Sequence, residues 1–195
     1  MSANLILASA SPYRQKLLQR LQLPFSTHPA DIDETPLIEE AIEDYVQRMT
    51  LEKGRKVATL YQGDSLILSS DQTALFAGEV IQKPGTIEKA LTQLMRFSGN
   101  TVTFLTGIAI TRVSDMKFEY RSVPFDVTFK ELTEAEILSY LAKESVLDCA
   151  GSFKCEGLGI RLFKKMAGDD PTALEGLPLI ATSELLIKFG LDPLG

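Results

Sequence analysis

One histidine and two cysteines are all that this 195-residue chain offers of the side chains that most often hold transition metals or act as nucleophiles. The lone His28 excludes H-E-x-x-H and His-rich catalytic zinc sites, and a Ser-His-Asp triad would have to be built on it. It reads as structural or solvated. Cys149 and Cys155 are spaced neither as C-x-x-C nor as a zinc finger. No apolar run approaches the ~18–20 residues of a membrane span. The chain has no G-x-x-x-x-G-K-[ST] and no G-x-G-x-x-G, so neither the P-loop nor the Rossmann mechanism is supported. It also lacks internal repeats, low-complexity linkers and anything resembling a signal peptide ahead of its first apolar run. A reducing cytoplasm is the expected location.

Positive charge is in the minority. Twenty Lys+Arg against twenty-six Asp+Glu give −6 and a pI near 4.9, which argues against a nucleic-acid polymer or an anionic membrane as partner. Basic side chains can still gather in a pocket. The apolar fraction of 45% is ordinary. At roughly 100–200 residues per domain, the length favours one α/β domain over 1–195, with two lobes around a central cleft as the alternative. A chain of this mass buries about 70% of its unfolded surface, so no disulfide or structural metal is needed.

The apolar run Asn4 to Ala8 reads as a buried strand, followed by Ser11 as helix cap and Pro12 at the first helical position, with the helix running through Leu21. Ser9, Ser11 and Arg14 thus fall at a strand-to-helix junction that suits an anion. Phe25 to His28 predicts a second strand, Asp31 to Pro36 a loop, and Glu39 to Tyr61 a helix. Leu66 to Ser70 predicts a strand ending at Asp71, with a hairpin from Thr73 to Ile81 around Gly78. Thr86 caps a helix whose Ala90, Leu91, Leu94 and Phe97 share a face. Thr101 to Thr111 and Phe118 to Lys130 read as antiparallel neighbours. Thr133 to Glu136 is a capping box for a helix ending near Lys143. A glycine-rich loop over 149–159, a strand near Ile160 to Phe163 and a last helix from Pro178 to Phe189 complete a mixed, twisted sheet flanked by helices.

Three acids stand at loops or strand ends: Glu34, Asp71 and Glu156. Carboxylates in such places hold a hydrated Mg²⁺ or position a water for attack on phosphorus, and they are also common as plain turn acids. Lys53 and Lys83 are their cationic counterparts.

Leu5-Ile6-Leu7-Ala8-Ser9-Ala10-Ser11-Pro12-Tyr13-Arg14 resembles the opening motif of the Maf family, LxLAS-x-SPxR. The likeness continues through Asp33-Glu34-Thr35, Glu52-Lys53, Ser70-Asp71-Gln72, Lys83-Pro84, Thr106-Gly107, Ala150 to Gly157 and Gly176-Leu177-Pro178-Leu179. The resemblance implies a fold similar to the inosine-triphosphate pyrophosphatases and hydrolysis of a nucleoside triphosphate to its monophosphate and pyrophosphate. It further implies a divalent cation, Mg²⁺ or Mn²⁺, and allows a homodimer. Asp71 matches the proton acceptor, Ser9, Arg14, Lys53 and Lys83 the phosphate positions, and Glu34 with Asp71 the metal side of the site. Which acid ligates and which acts as base stays open.

Within the family, Gln72 and Glu156 resemble the branch acting on 7-methyl-GTP, whereas the dTTP and UTP branch carries threonine after the aspartate. Tyr13 departs from that branch's frequent tryptophan but keeps an aromatic face. A dTTP/UTP pyrophosphatase is the alternative within the family, and a non-catalytic nucleotide-binding regulator of cell division the alternative outside catalysis. Tyr13 as a helix-packing residue and Glu156 as a loop cap are the plainer roles for those two positions.

Overall fold

Short apolar runs alternate with amphipathic stretches, and each becomes an element of the computed structural model, which describes residues 4–195. In order these are β1 (Asn4–Leu7), α1 (Pro12–Leu18), β2 (Phe25–Thr27), α2 (Ile42–Ala58), β3 (Ser65–Phe76), β4 (Glu79–Ile81) and α3 (Ile87–Phe97). There follow β5 (Thr101–Arg112), β6 (Phe118–Phe129), α4 (Glu134–Leu141), β7 (Phe163–Ala167) and α5 (Leu179–Lys188). The seven strands form one sheet in the order β2-β1-β3-β5-β6-β7, with β4 paired to β3. β1 runs parallel to β2 and β3, while β3–β4 and β6–β7 are antiparallel, so the sheet is mixed as expected.

Three expected boundaries move. β3 does not end at Asp71 but continues to Phe76, so the acid lies mid-strand. Its polar run Ser70-Asp71-Gln72 looks like a strand end, yet each of these side chains finds a partner from a distant part of the chain. α2 starts only at Ile42, because Glu39 takes a left-handed φ of 58° that a helix cannot contain. The strand expected near Ile160 is a 3-10 turn, Leu158–Leu162, and β7 begins at Phe163. Gly159 permits this: a Cβ there would lie 2.3 Å from the Lys154 carbonyl oxygen.

The chain forms two compact units. The first comprises the described residues up to Gln72 together with Thr106–Val123 and Asp170–Gly195. Here Val57 and Ala58 of α2 pack on Ile6 and Ala8 at β1 and on Ile67 of β3, with Ala30, Tyr61 and Val113 at the margin. His28 is structural: its ring meets Tyr61 edge-on, 5.8 Å between centroids, with Nδ1 3.3 Å from the phenol oxygen. The second unit, Thr73–Leu105 and Pro124–Asp169, is built on edge-to-face or tilted rings: Phe97 against Phe76 and Phe129, and Phe153 against Phe104, Phe129 and Phe163. Such pairs add about 0.5–1.5 kcal/mol each beyond the area they bury. Among the described residues no helix is long and apolar enough to cross a membrane.

The start of α5 has no side-chain cap of its own, since Pro178 occupies the cap position. Asp170 supplies it from eight residues upstream in sequence. Its Oδ2 accepts from the backbone N–H groups of Ile180 (2.7 Å) and Ala181 (3.2 Å), and its Oδ1 from Thr172 N–H (3.2 Å) and hydroxyl (2.8 Å). The carboxylate is 3% exposed and sits at the positive end of the helix. Asp170→Ala is therefore expected to cost about 2–4 kcal/mol, since it orphans several buried donors, and Asp170→Asn less. Urea unfolding measures it; an alanine variant within about 0.5 kcal/mol of the parent would show that the four bonds do not act as a cap.

Candidate active site

Val46, Thr50 and Lys53 recur at helical spacing on one stripe of α2. Two glycines let that stripe come close to the sheet. A Cβ at Gly54 would lie 2.8 Å from Ser69 Oγ of β3 and 3.3 Å from Thr111 Oγ1 of β5. One at Gly107 would lie 2.3 Å from Thr50 Oγ1 and 3.0 Å from Val46 Cγ1. The Thr-Gly pair of β5 thus has a mechanical reason: only a residue without a side chain leaves room for the helix.

This approach brings Lys53 to β3. Its Nζ donates to Asp71 Oδ1 at 2.6 Å, and both residues are only 8% exposed. On the other side the same ammonium pairs with Glu34 Oε1 at 2.7 Å, whose side chain remains 58% exposed. Sequence reasoning named these three residues separately; the fold brings them to one point.

Glu34 is held there by its motif neighbours Asp33 and Thr35 and by Tyr45, Arg48 and Glu40, which no motif marks. Asp33 Oδ1 accepts from the Thr35 N–H and hydroxyl at 2.9 and 2.6 Å, shaping the turn. The Tyr45 hydroxyl donates to the Glu34 carbonyl at 3.0 Å, and Arg48 Nη2 to the Thr35 carbonyl at 3.1 Å. Arg48 is itself held by both oxygens of Glu40 at 2.6 and 2.7 Å, which brings the Glu40 carboxyl down to about 2. Tyr45 and Arg48 stand on α2 about one to two turns before Lys53. Burial pushes the Tyr45 phenol above its ordinary value, and the charges of Asp71 and Glu34 push it further.

At the end of β1, Ser9 Oγ accepts from Ser11 N–H at 3.1 Å, and Ser11 Oγ caps α1 by accepting from Arg14 N–H at 3.4 Å. α1 has only seven residues before a 3-10 turn, Gln19–Leu21, takes over, so the expected anion site rests on side chains more than on a helix dipole. Arg14 Nε donates to the Gly176 carbonyl at 2.9 Å. Burial lowers the pKa of its guanidinium, with Asp71 and Glu34 opposing that shift. It remains cationic.

Gln72, the next residue of β3, spends its amide hydrogens within the protein: Nε2 lies 2.7 Å from the Ala173 carbonyl, 3.0 Å from Thr106 Oγ1 and 3.3 Å from the Leu174 carbonyl. Tyr13 lies on α1 and is 36% exposed. Lys83 and Glu156 belong to the second unit, Lys83 exposed between β4 and α3 and Glu156 exposed in the 151–157 loop. Cys155 Sγ donates to Glu156 Oε2 at 3.6 Å. Cys149 and Cys155 are not disulfide-bonded, and burial pushes the Cys149 thiol up to about 11, which removes it as a nucleophile at neutral pH.

Among the described residues no group of three or more His, Cys, Asp or Glu could hold a metal ion. What the cluster does provide is two carboxylate oxygens converging on one cationic position, that of Lys53 Nζ. That donor set suits Mg²⁺, which takes one or two carboxylates and completes its shell with water and substrate phosphates.

Residues 4–189 match the family of Maf-like proteins. Proteins of Aromatoleum aromaticum and Pseudomonas savastanoi pv. phaseolicola are each 48% identical over 97% of this chain, covering 97% and 98% of their own lengths. A Pseudomonas aeruginosa protein is 44% identical over 97% of this chain and 98% of its own. All three bear the name 7-methyl-GTP pyrophosphatase. Among solved structures, the Staphylococcus aureus Ham1 protein superposes with a TM-score of 0.47 and 13% identity over 66% of this chain and 72% of its own.

The glycine contacts generate a test of how the cluster is assembled. Gly107→Ala must push Thr50 and the α2 stripe off β5, at a cost of about 1–3 kcal/mol, and so lower Tm by several degrees. Adding Thr50→Ala removes the 2.3 Å clash and is expected to recover at least half of the loss. Calorimetry on the single and double variants measures both; an unshifted Tm in Gly107→Ala would mean the helix does not depend on this gap.

Proposed function

The chain belongs to the Maf family, and from that membership we propose that it is a nucleoside triphosphate pyrophosphatase hydrolysing 7-methyl-GTP to 7-methyl-GMP and pyrophosphate. The observation that carries this reading is identity of 44–48%, along nearly the full length, to three proteins with that activity in their names. The Glu34–Lys53–Asp71 cluster supports it chemically.

In this reading a water attacks the α-phosphorus, the bond from that phosphorus to the α–β bridging oxygen breaks, and pyrophosphate leaves. Asp71 takes the proton of the water. Lys53 holds Oδ1 of Asp71 and thereby orients the carboxylate, leaving Oδ2 as the accepting oxygen. Arg14 and Lys53, with Ser9 at the end of β1, neutralise the triphosphate and the charge that builds on the leaving group. Glu34 and Asp71 would hold a divalent cation, Mg²⁺ or Mn²⁺, which supplies charge neutralisation and a more acidic water when bound. Lys53 would then share its two carboxylates with that ion.

Base choice follows from charge. Methylation at N7 makes the guanine ring cationic, so an aromatic face at Tyr13 favours it by about 0.5–2 kcal/mol. The reading places the enzyme in the cytoplasm, with its nucleotide substrate as the partner.

Purified protein with Mg²⁺ and a panel of canonical and methylated nucleoside triphosphates tests the reading by product chromatography. Monophosphate and pyrophosphate are expected, with the highest kcat/KM on 7-methyl-GTP. In ¹⁸O-labelled water the label should appear on the monophosphate; a labelled single phosphate beside a diphosphate would overturn the assignment. Asp71→Asn is expected to cut kcat by about 10²–10⁴-fold with the fold retained. An Asp71→Asn variant of near-normal activity would move the proton acceptor to Glu34.

A further inference from the structure

The Ala173–Glu175 3-10 turn ends on Gly176 in a left-handed conformation (φ 92°), and its carbonyls are gripped by side chains from three elements. The Gly176 carbonyl accepts from Arg14 Nε of α1 and Ser70 Oγ of β3, both at 2.9 Å. The Ala173 carbonyl accepts from Gln72 Nε2 of β3 at 2.7 Å and from Thr106 Oγ1 of β5 at 3.1 Å. Thr106 also accepts from Gln72 Nε2 at 3.0 Å, so its one hydroxyl donates to the turn and receives from the glutamine.

This arrangement has a consequence for Gln72. A carboxamide presents a donor end and an acceptor end, and either can face outward. Carbonyl oxygens only accept, so the amide nitrogen has to face Ala173 and Leu174. The Thr106 hydroxyl, committed as a donor to Ala173, can meet that nitrogen only with its lone pair. Both amide hydrogens are consumed, and Oε1, which accepts no hydrogen bond among the described residues, is left as the one available atom of the group.

The geometry points to Thr106, acting with the Ala173–Leu174 carbonyls, as a specificity-positioning residue: it locks the Gln72 carboxamide so that position 72 offers a purine ring edge an acceptor and never a donor. An acceptor-only group suits the adjacent N1–H and N2–H donors of a guanine and discriminates against pyrimidine edges that offer one donor between two carbonyls. The inference rests on the proposed pyrophosphatase activity and deepens it. A threonine at position 72 has no amide to span these carbonyls, which gives the difference between the family's branches a structural basis beyond direct contact.

The test compares kcat/KM on 7-methyl-GTP and UTP for the unmutated protein, Thr106→Val, Thr106→Ser and Gln72→Glu. Thr106→Val is expected to lower the 7-methyl-GTP to UTP ratio about 3- to 10-fold, the worth of one neutral hydrogen bond, mainly through KM for the purine. Thr106→Ser, which keeps the hydroxyl, should stay within about twofold of the parent. Gln72→Glu keeps acceptors but cannot donate to the turn, and should lose selectivity as Thr106→Val does. Hydrogen exchange of the Gln72 side-chain amide gives a readout independent of turnover: slow in the parent and in Thr106→Ser, fast in Thr106→Val. Equal loss on both substrates, an unchanged ratio, or an amide that stays protected in Thr106→Val would overturn the inference. Failure of the pyrophosphatase reading shows instead in the unmutated protein, as no turnover or no purine preference.

Discussion

The Lys53 ammonium is taken almost entirely out of water, and a buried charge of that kind costs several kcal/mol unless good partners surround it. Asp71 at 2.6 Å and Glu34 at 2.7 Å are those partners, and much of the first unit serves to bring them there. Gly54 and Gly107 thin the space between α2 and the sheet so that the lysine reaches β3. Asp33, Tyr45, Arg48 and Glu40 hold the loop that presents Glu34. An ion pair in this setting is a weak source of stability but a strong constraint on position, since either charge left alone would be expensive. The same property suits catalysis on a triphosphate, where groups must be in place before charge develops.

Asp71 and Glu34 differ in surroundings although they share a partner. Asp71 is buried in the middle of a strand, whereas Glu34 rides on an exposed loop. A carboxylate fixed by a rigid strand suits proton transfer, which needs a defined direction; one on a loop can adjust to a cation and a substrate. Under the proposed reading these surroundings favour Asp71 as the proton acceptor and Glu34 as the more adaptable cation ligand.

The second anchor of this unit is the segment from Asp170 to Gly176. Asp170 closes the start of α5, while Arg14 and Ser70 hold the Gly176 carbonyl and Gln72 and Thr106 the Ala173 carbonyl. Neither end of the segment carries regular structure long enough to stabilise itself. Its conformation is set by side chains that lie far away in sequence, the Gln72 to Ala173 bond spanning 101 residues.

Most elements could be read from local signals because those signals act over a few residues: Ser11, Thr86 and the Thr133–Glu136 capping box start helices where expected, and the apolar runs at Leu5, Leu66 and Val102 became strands. Candidate site residues could be named because their motifs stand in family order, as Ser9, Arg14, Glu34, Lys53, Asp71 and Gln72 do. Tertiary structure alone decided three things. β3 passes through Ser70-Asp71-Gln72, which read as a strand end because the polarity of a side chain signals a loop until its buried partner is known. Lys53 lies between two acids, a geometry that needs the helix-to-sheet distance set by Gly54 and Gly107. Gln72 points its amide hydrogens at a turn a hundred residues away, and the orientation of a carboxamide depends wholly on which atoms face it. Local chemistry is written in neighbouring residues, whereas the direction of a hydrogen bond belongs to whatever the fold places opposite it.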